Sequence, residues 1–208
     1  MQETAPEITR LVLGMLQTNC YLLVCPSTRS AMVIDPADSP ERILAAATQR
    51  GARIEKVLLT HAHMDHLAAL PALREATGAS VLVHPVESET LPRYLSLFGL
   101  DSRSYPPIVP DVGIVGGEEI AIGSVRARII HTPGHSAGGL SCAVPGTLFT
   151  GDTLFAGGVG RIDLPGGNAK QLRESLRVLL EFPGDTVVCP GHGAESTVLR
   201  ERTDNPYC

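Results

Sequence analysis

No apolar run in this 208-residue chain approaches the ~20 residues that span a bilayer, so a membrane role is not expected. Met1 to Arg10 carry no basic patch followed by an apolar segment, so the expected compartment is the cytoplasm. Long basic runs are missing too, and 17 Lys and Arg stand against 22 Asp and Glu, which argues against a surface that tracks nucleic-acid phosphates. The five cysteines, Cys20, Cys25, Cys142, Cys189 and Cys208, are odd in number and include no Cys-x-x-Cys pair. That spacing excludes a disulfide framework and a cysteine-based zinc site, and all five read as thiols without a role. Tryptophan is absent, while 21 glycines and 43% hydrophobic residues indicate a packed fold rich in tight turns. With no repeat, linker or low-complexity segment, residues 1–208 read as a single domain.

Strand-like segments alternating with turns, Ile8–Leu13, Cys20–Cys25 and Ala31–Ile34, make an antiparallel start. A helix is expected over Pro40–Arg50, with Ser39 as its cap, Pro40 in the first turn and Gly51 beyond its end. Strand Lys56–Thr60, helix Leu67–Thr77 restarted at Pro71, and strand Val81–Val83 then imply parallel pairing with helices outside the sheet. Asp101–Gly113, with three prolines, reads as a surface loop. Two hairpins follow, turning at Gly123-Ser124 and Pro145-Gly146. Asn168 is placed to cap a helix carrying Leu172, Leu176 and Leu179, before strand Thr186–Cys189 and a last short helix. The expected class is α/β, an αβ/βα four-layer sandwich of two mixed sheets flanked by helices.

Thr60-His-Ala-His-Met-Asp-His66 places four metal-capable side chains within six residues, directly after a strand. Extended alternation puts His61, His63 and Asp65 on one side, and the turn into a helix brings His66 round. Adjacent Asp65 and His66 would crowd a tetrahedron already holding His61 and His63, so two ions are the natural solution, about 3.5–4 Å apart. His135, Asp152 and His192, each in a Gly-containing turn after a strand, complete the set. One imidazole each from His135 and His192 and a bridging carboxylate from Asp152 leave room for a shared water. Asp35, ending a strand, is expected to orient a ligand, with a turn-initiating aspartate as the alternative. His84 and His131 are not needed for the count and read as ordinary side chains.

These motifs, in this order and over almost the whole chain, resemble the five metal motifs of the metallo-β-lactamase superfamily. Gly151-Asp-Thr-Leu-Phe155 and Gly160-Arg-Ile-Asp-Leu-Pro-Gly-Gly167 resemble its glyoxalase II group, the hydroxyacylglutathione hydrolases, and particularly short bacterial members without the C-terminal helical domain. The resemblance implies a binuclear metal-dependent thioesterase holding two divalent ions, zinc with iron or manganese as alternatives. Its small-molecule substrate would be a thioester such as S-lactoylglutathione, attacked by a metal-bridging hydroxide. Asp152 and Asp65 would be catalytic, Asp65 as proton acceptor, and Arg161 would bind the glutathione moiety, the alternative being a surface arginine paired with Asp163. Two alternatives stand beside it. The persulfide dioxygenase branch, with one iron on His61, His135 and Asp152, also resembles the Gly-Asp and Gly-Arg-x-Asp segments. The other is a metal-stabilised binding module without catalysis.

Overall fold

The computed structural model describes residues 4–97 and 108–208. Strands β1 (Glu7–Leu13), β2 (Thr18–Val24) and β3 (Ser30–Ile34) form an antiparallel meander. Helix α1 (Pro40–Gln49) crosses to β4 (Arg53–Leu58), α2 (Leu70–Thr77) crosses to β5 (Ser80–Val83), and both new strands pair in parallel. After helix α3 (Pro85–Leu97), a short β6 (Val112–Gly113) extends this first sheet beside β5. The second sheet begins with the hairpins β7 (Glu119–Ile122) to β8 (Val125–His131) and β9 (Leu140–Val144) to β10 (Thr147–Gly151). A small ribbon, β11 (Leu154–Phe155) with β12 (Gly158–Val159), precedes helix α4 (Ala169–Leu179). Strand β13 (Val187–Pro190) then returns parallel to β10, β14 (Ser196–Thr197) forms the edge, and α5 (Val198–Asp204) closes the chain.

Period-two alternation sorts the side chains of each sheet into separate cores. In β2, Leu22 and Val24 pack toward Ile43 of α1 and Leu73 of α2, while Tyr21 and Leu23 face the second sheet. In the second sheet, Ile129, Cys142 and Phe149 meet that inner core, and Ile130 and Leu148 turn outward to Leu172, Leu176 and Leu179 of α4. Tyr21 and Phe149 meet edge-on across the sheets, their ring centroids 4.9 Å apart. The result is helix, sheet, sheet, helix. Each fully buried leucine in these layers contributes roughly 1.5–3 kcal/mol, so the apolar pattern is sufficient reason for the layering.

Several expectations need correcting at the local level. Ser39 precedes α1 but lies in the left-handed region (φ 49°) with no side-chain cap bond, and its hydroxyl goes to Asp38 instead. The segment after His63 is not extended through Asp65: Met64–His66 form a 3-10 turn, and α2 begins only at Leu70, with Pro71 in its first turn. The expected loop 101–113 falls partly outside the described residues, and its end pairs as β6. Helix α3 was not anticipated, because its apolar stripe is weak. The α4 cap is as expected, with Asn168 Oδ1 accepting from Lys170 N at 3.0 Å and Gln171 N at 3.1 Å. Cys20, Cys25, Cys142 and Cys189 are buried free thiols and Cys208 is an exposed one. No helix among the described residues is long and apolar enough to cross a membrane.

Candidate metal centre

The parallel strands β3, β4 and β5, and likewise β10 and β13, all end at one edge of the two sheets. That shared edge is why residues far apart in the chain meet. Asp35 follows β3 in the left-handed region (φ 51°), which aspartate tolerates better than most residues. Its Oδ1 accepts from Thr60 N at 2.7 Å and its Oδ2 from Thr60 Oγ1 at 2.7 Å, fixing the start of the histidine segment. Gly191 N donates to Gly151 O at 2.8 Å, drawing the His192 turn against Asp152. A Cβ at Gly191 would overlap Asp152 Oδ1 and lie 2.8 Å from His66 Cε1, so only glycine permits this approach.

All seven expected ligand residues converge here. Three overlapping groups have their donor atoms within 4.8 Å of one another: His61, His63 and His135; His61, His66 and Asp152; and Asp65, His66 and His192. Four imidazoles have one nitrogen tied outward. His61 Nδ1 lies 3.0 Å from Thr60 Oγ1, His66 Nδ1 2.9 Å from Asp35 Oδ2, His135 Nδ1 2.8 Å from Arg161 O, and His192 Nδ1 3.2 Å from Leu16 O. With Nδ1–H donating in each ring, the Nε2 lone pairs turn inward. His66 Nε2 and His192 Nε2 face each other at 3.3 Å, and His135 Nε2 faces His63 Nδ1 at 2.9 Å. Asp152 stands between the clusters, with Oδ1 3.5 Å from His66 Nε2 and Oδ2 3.6 Å from His192 Nε2 and 3.7 Å from His135 Nε2.

Burial and charge act differently on these rings. Burial, reinforced by His66, His63 and His135, drives His61 well below the usual imidazole value, and burial with His135 and His66 lowers His63 to about 3. Burial also opposes the charged form of His66, but Asp152, Asp35 and Asp65 outweigh it and raise that ring to about 10. His192 is raised as well, its burial overcome by the Asp65 hydrogen bond and by Asp152. Asp65 is pushed below the usual carboxylate range despite burial, by the His192 bond, the His66 charge and the Thr18 hydroxyl.

Donor chemistry fits divalent cations. Imidazole nitrogens and carboxylate oxygens converge, which is the donor set zinc, iron and manganese accept once the rings are deprotonated. Two buried atoms, His61 Nε2 and Asp152 Oδ1, have no hydrogen-bond partner among the described residues, which for buried polar groups is uncommon and calls for a cause.

Some contributors carried only a faint signal in the sequence. Thr18 Oγ1 donates to Asp65 Oδ2 at 3.0 Å, and Asn19 Nδ2 donates to Pro190 O at 2.9 Å and Gly193 O at 3.0 Å. Tyr21 Oη also donates to Pro190 O, at 2.8 Å, so β2 props the whole His192 turn. The one available hint was a Thr-Asn pair opening an otherwise apolar, wholly buried strand. Arg161 is exposed and grips Asp163 through Nε and Nη2, both at 2.6 Å. His84 and His131 lie outside the three groups and stack on each other, ring centroids 4.8 Å apart and planes 16° from parallel.

A four-layer sandwich with this cluster on one sheet edge defines a class. The chain belongs to the metallo-β-lactamase superfamily, whose family model matches residues 13–192. Within it, the chain is 32% identical over 199 residues to the Haemophilus influenzae protein named hydroxyacylglutathione hydrolase GloC, covering 92% of each. Among solved structures it is similar to TTHA1623 in a di-iron-bound form, with TM-score 0.84 and 37% identity over 96% of this chain and 100% of that one. It is also similar to ETHE1 from Myxococcus xanthus, with TM-score 0.82 and 30% identity over 96% and 83% of the two chains.

Proposed function

We propose that this chain is a binuclear metal-dependent hydrolase that cleaves a thioester such as S-lactoylglutathione. The observation that carries the proposal is the convergence of inward-facing imidazole nitrogens around Asp152, with Asp35, Arg161 O and Leu16 O holding the outward ones. His61, His63 and His135 would hold one divalent ion, Asp65, His66 and His192 the other, and Asp152 would reach both. When bound, such ions supply Lewis acidity and lower the pKa of water to about 7. Asp65, which accepts a hydrogen bond from Thr18 and lies 3.1 Å from His192 Nε2, is assigned the proton released on attack. A thiolate leaves readily, its conjugate acid having a pKa of about 8.5, so the site needs no strong general acid.

Arg161 is assigned the carrier end of the substrate. Besides pairing with Asp163, it lines a cleft of about 490 Å³ together with Ile162, Leu172, Arg173 and Tyr207. Two guanidiniums over an apolar floor suit an amphiphilic anion such as the glutathione moiety, whose carboxylate would take the place of Asp163.

A second reading, oxygen-dependent oxidation of a persulfide with one iron on His61, His135 and Asp152, is favoured by the Gly160-Arg-Ile-Asp163 segment and the likeness to ETHE1. Metal analysis of the purified protein, run beside thioester hydrolysis and oxygen uptake, separates the two. Two ions per chain with thioester turnover and no oxygen uptake is the expected result. One iron with persulfide-dependent oxygen uptake would replace the hydrolase reading. A metal-replete chain inert on every thioester and persulfide tried would leave a non-catalytic binding module.

A further inference from the structure

Two loops of the His61, His63 and His135 group converge on one carboxylate that the chemistry above does not use. Glu87, in the first turn of α3, is 0% exposed. Its Oε2 accepts from Ala62 N at 2.9 Å and its Oε1 from Gly138 N at 2.7 Å. Ala62 is the residue between His61 and His63, and Gly138 lies on the loop that follows His135. The acid is itself anchored, since Glu87 N donates to His84 O at 3.0 Å where β5 ends. Gly138 is part of the arrangement: a Cβ there would fall 2.8 Å from Glu87 Oε1 and 2.7 Å from Val86 Cγ1. Glycine alone lets that backbone N–H reach the carboxylate.

We infer that Glu87 is a positioning residue which clamps the His61–His63 segment to the His135 loop and so sets the spacing of that group. The inference rests on the proposed reading that these three imidazoles hold one ion. Both of its side-chain bonds described above go to loops of this group, whereas Asp35 contacts both halves: directly His66, and through Thr60 also His61. An acid is required at this position because each oxygen meets an N–H. The amide of Glu87→Gln offers one acceptor and turns an N–H donor against the other.

The test measures zinc(II) affinity of the metal-free, full-length chain by chelator competition, in two backgrounds. His192→Ala keeps the first group intact, and His135→Ala keeps the second. Adding Glu87→Gln should weaken zinc binding about 10- to 100-fold in the His192→Ala background, as loss of an orienting partner does, and by less than about twofold in the His135→Ala background. Gly138→Ala, which leaves the carboxylate in place but pushes the loop off it, should reproduce the same selectivity. Equal losses in both backgrounds, or none in either, would overturn the inference. So would unfolding of both variants in circular dichroism, which would make Glu87 a general scaffold residue. A parent chain that binds no zinc, iron or manganese would sink the ligand reading first, which distinguishes that failure from this one.

Discussion

Around His61 and His63, burial and neighbouring imidazoles keep the rings neutral, whereas around His66 and His192 carboxylates outweigh burial and favour the proton. Yet the His61 and His66 rings are only 4.2 Å apart, centroid to centroid. The difference is in the partners. The first half is all nitrogen, held from outside by a Glu87 clamp and by the Arg161 carbonyl. The second half brings Asp65 into the cluster and rests on Asp35 and the β2 hairpin. The second half carries the Asp65 carboxylate that the first lacks, so under the two-ion proposal the two ions would meet donor sets of unequal charge and take unequal roles.

The most damaging way to break this comparison is to remove the group both halves share. Asp152→Ala should lower thioesterase activity by at least about 10³-fold, beyond the 10- to 100-fold typical of residues that only orient a ligand. Steady-state kinetics with metal analysis check it, and activity within a few-fold of the parent would end the two-ion proposal. Next, Arg161→Ala removes a side chain while keeping the carbonyl that holds His135. Metal content should stay unchanged, while KM for a glutathione thioester rises about 10- to 150-fold with little change in kcat, the pattern of a uniform binding contact. Equal effects on a small neutral thioester would show that Arg161 does not read the carrier.

Asp35→Asn sharpens the contrast with Glu87, because Asp35 meets His66 directly and His61 through Thr60. Both ions should bind about 10- to 100-fold more weakly, where Glu87→Gln affects one. Selective loss of a single ion in stepwise titration would refute this. The smallest effect concerns the metal-free chain and its pH profile. His63 has its folded-state pKa depressed to about 3, so the unfolded chain takes up that proton first and stability falls as pH drops below about 6.5. His66 is the opposite case. Raised to about 10, it contributes stability that is fully present below about 6.5 and is lost as pH rises through about 10. Melting temperatures in chelator should peak near neutrality, and His66→Ala should flatten the alkaline limb by several degrees at about 2–4 °C per kcal/mol, with a smaller change on the acid limb because His66 is only one cause of the His63 depression. Unchanged alkaline slopes would contradict the assigned role of the carboxylates.

Legibility along the chain follows how local each cause is. The hairpins at Gly123-Ser124 and Pro145-Gly146, the Asn168 cap and the leucine stripe of α4 were readable because neighbours a few residues apart produce them. Helix α3 was not, since its stripe is faint, and with it went Glu87. The 3-10 turn at Met64–His66 was also missed: a run of alternating ligands looks extended until tertiary contacts turn it.

By itself the sequence determined the sandwich class and the residues that gather at its edge, because strand periodicity and Gly-containing turns place His61, His63, Asp65, His66, His135, Asp152 and His192 after strands. Which nitrogen of each ring faces inward was decided only in the folded chain. The outward partners, Arg161 O for His135 and Leu16 O for His192, are backbone carbonyls that any residue carries. They lie 26 and 176 residues away along the chain. No local pattern encodes a contact made by a group every residue shares, so only the packing of the two sheets could select it.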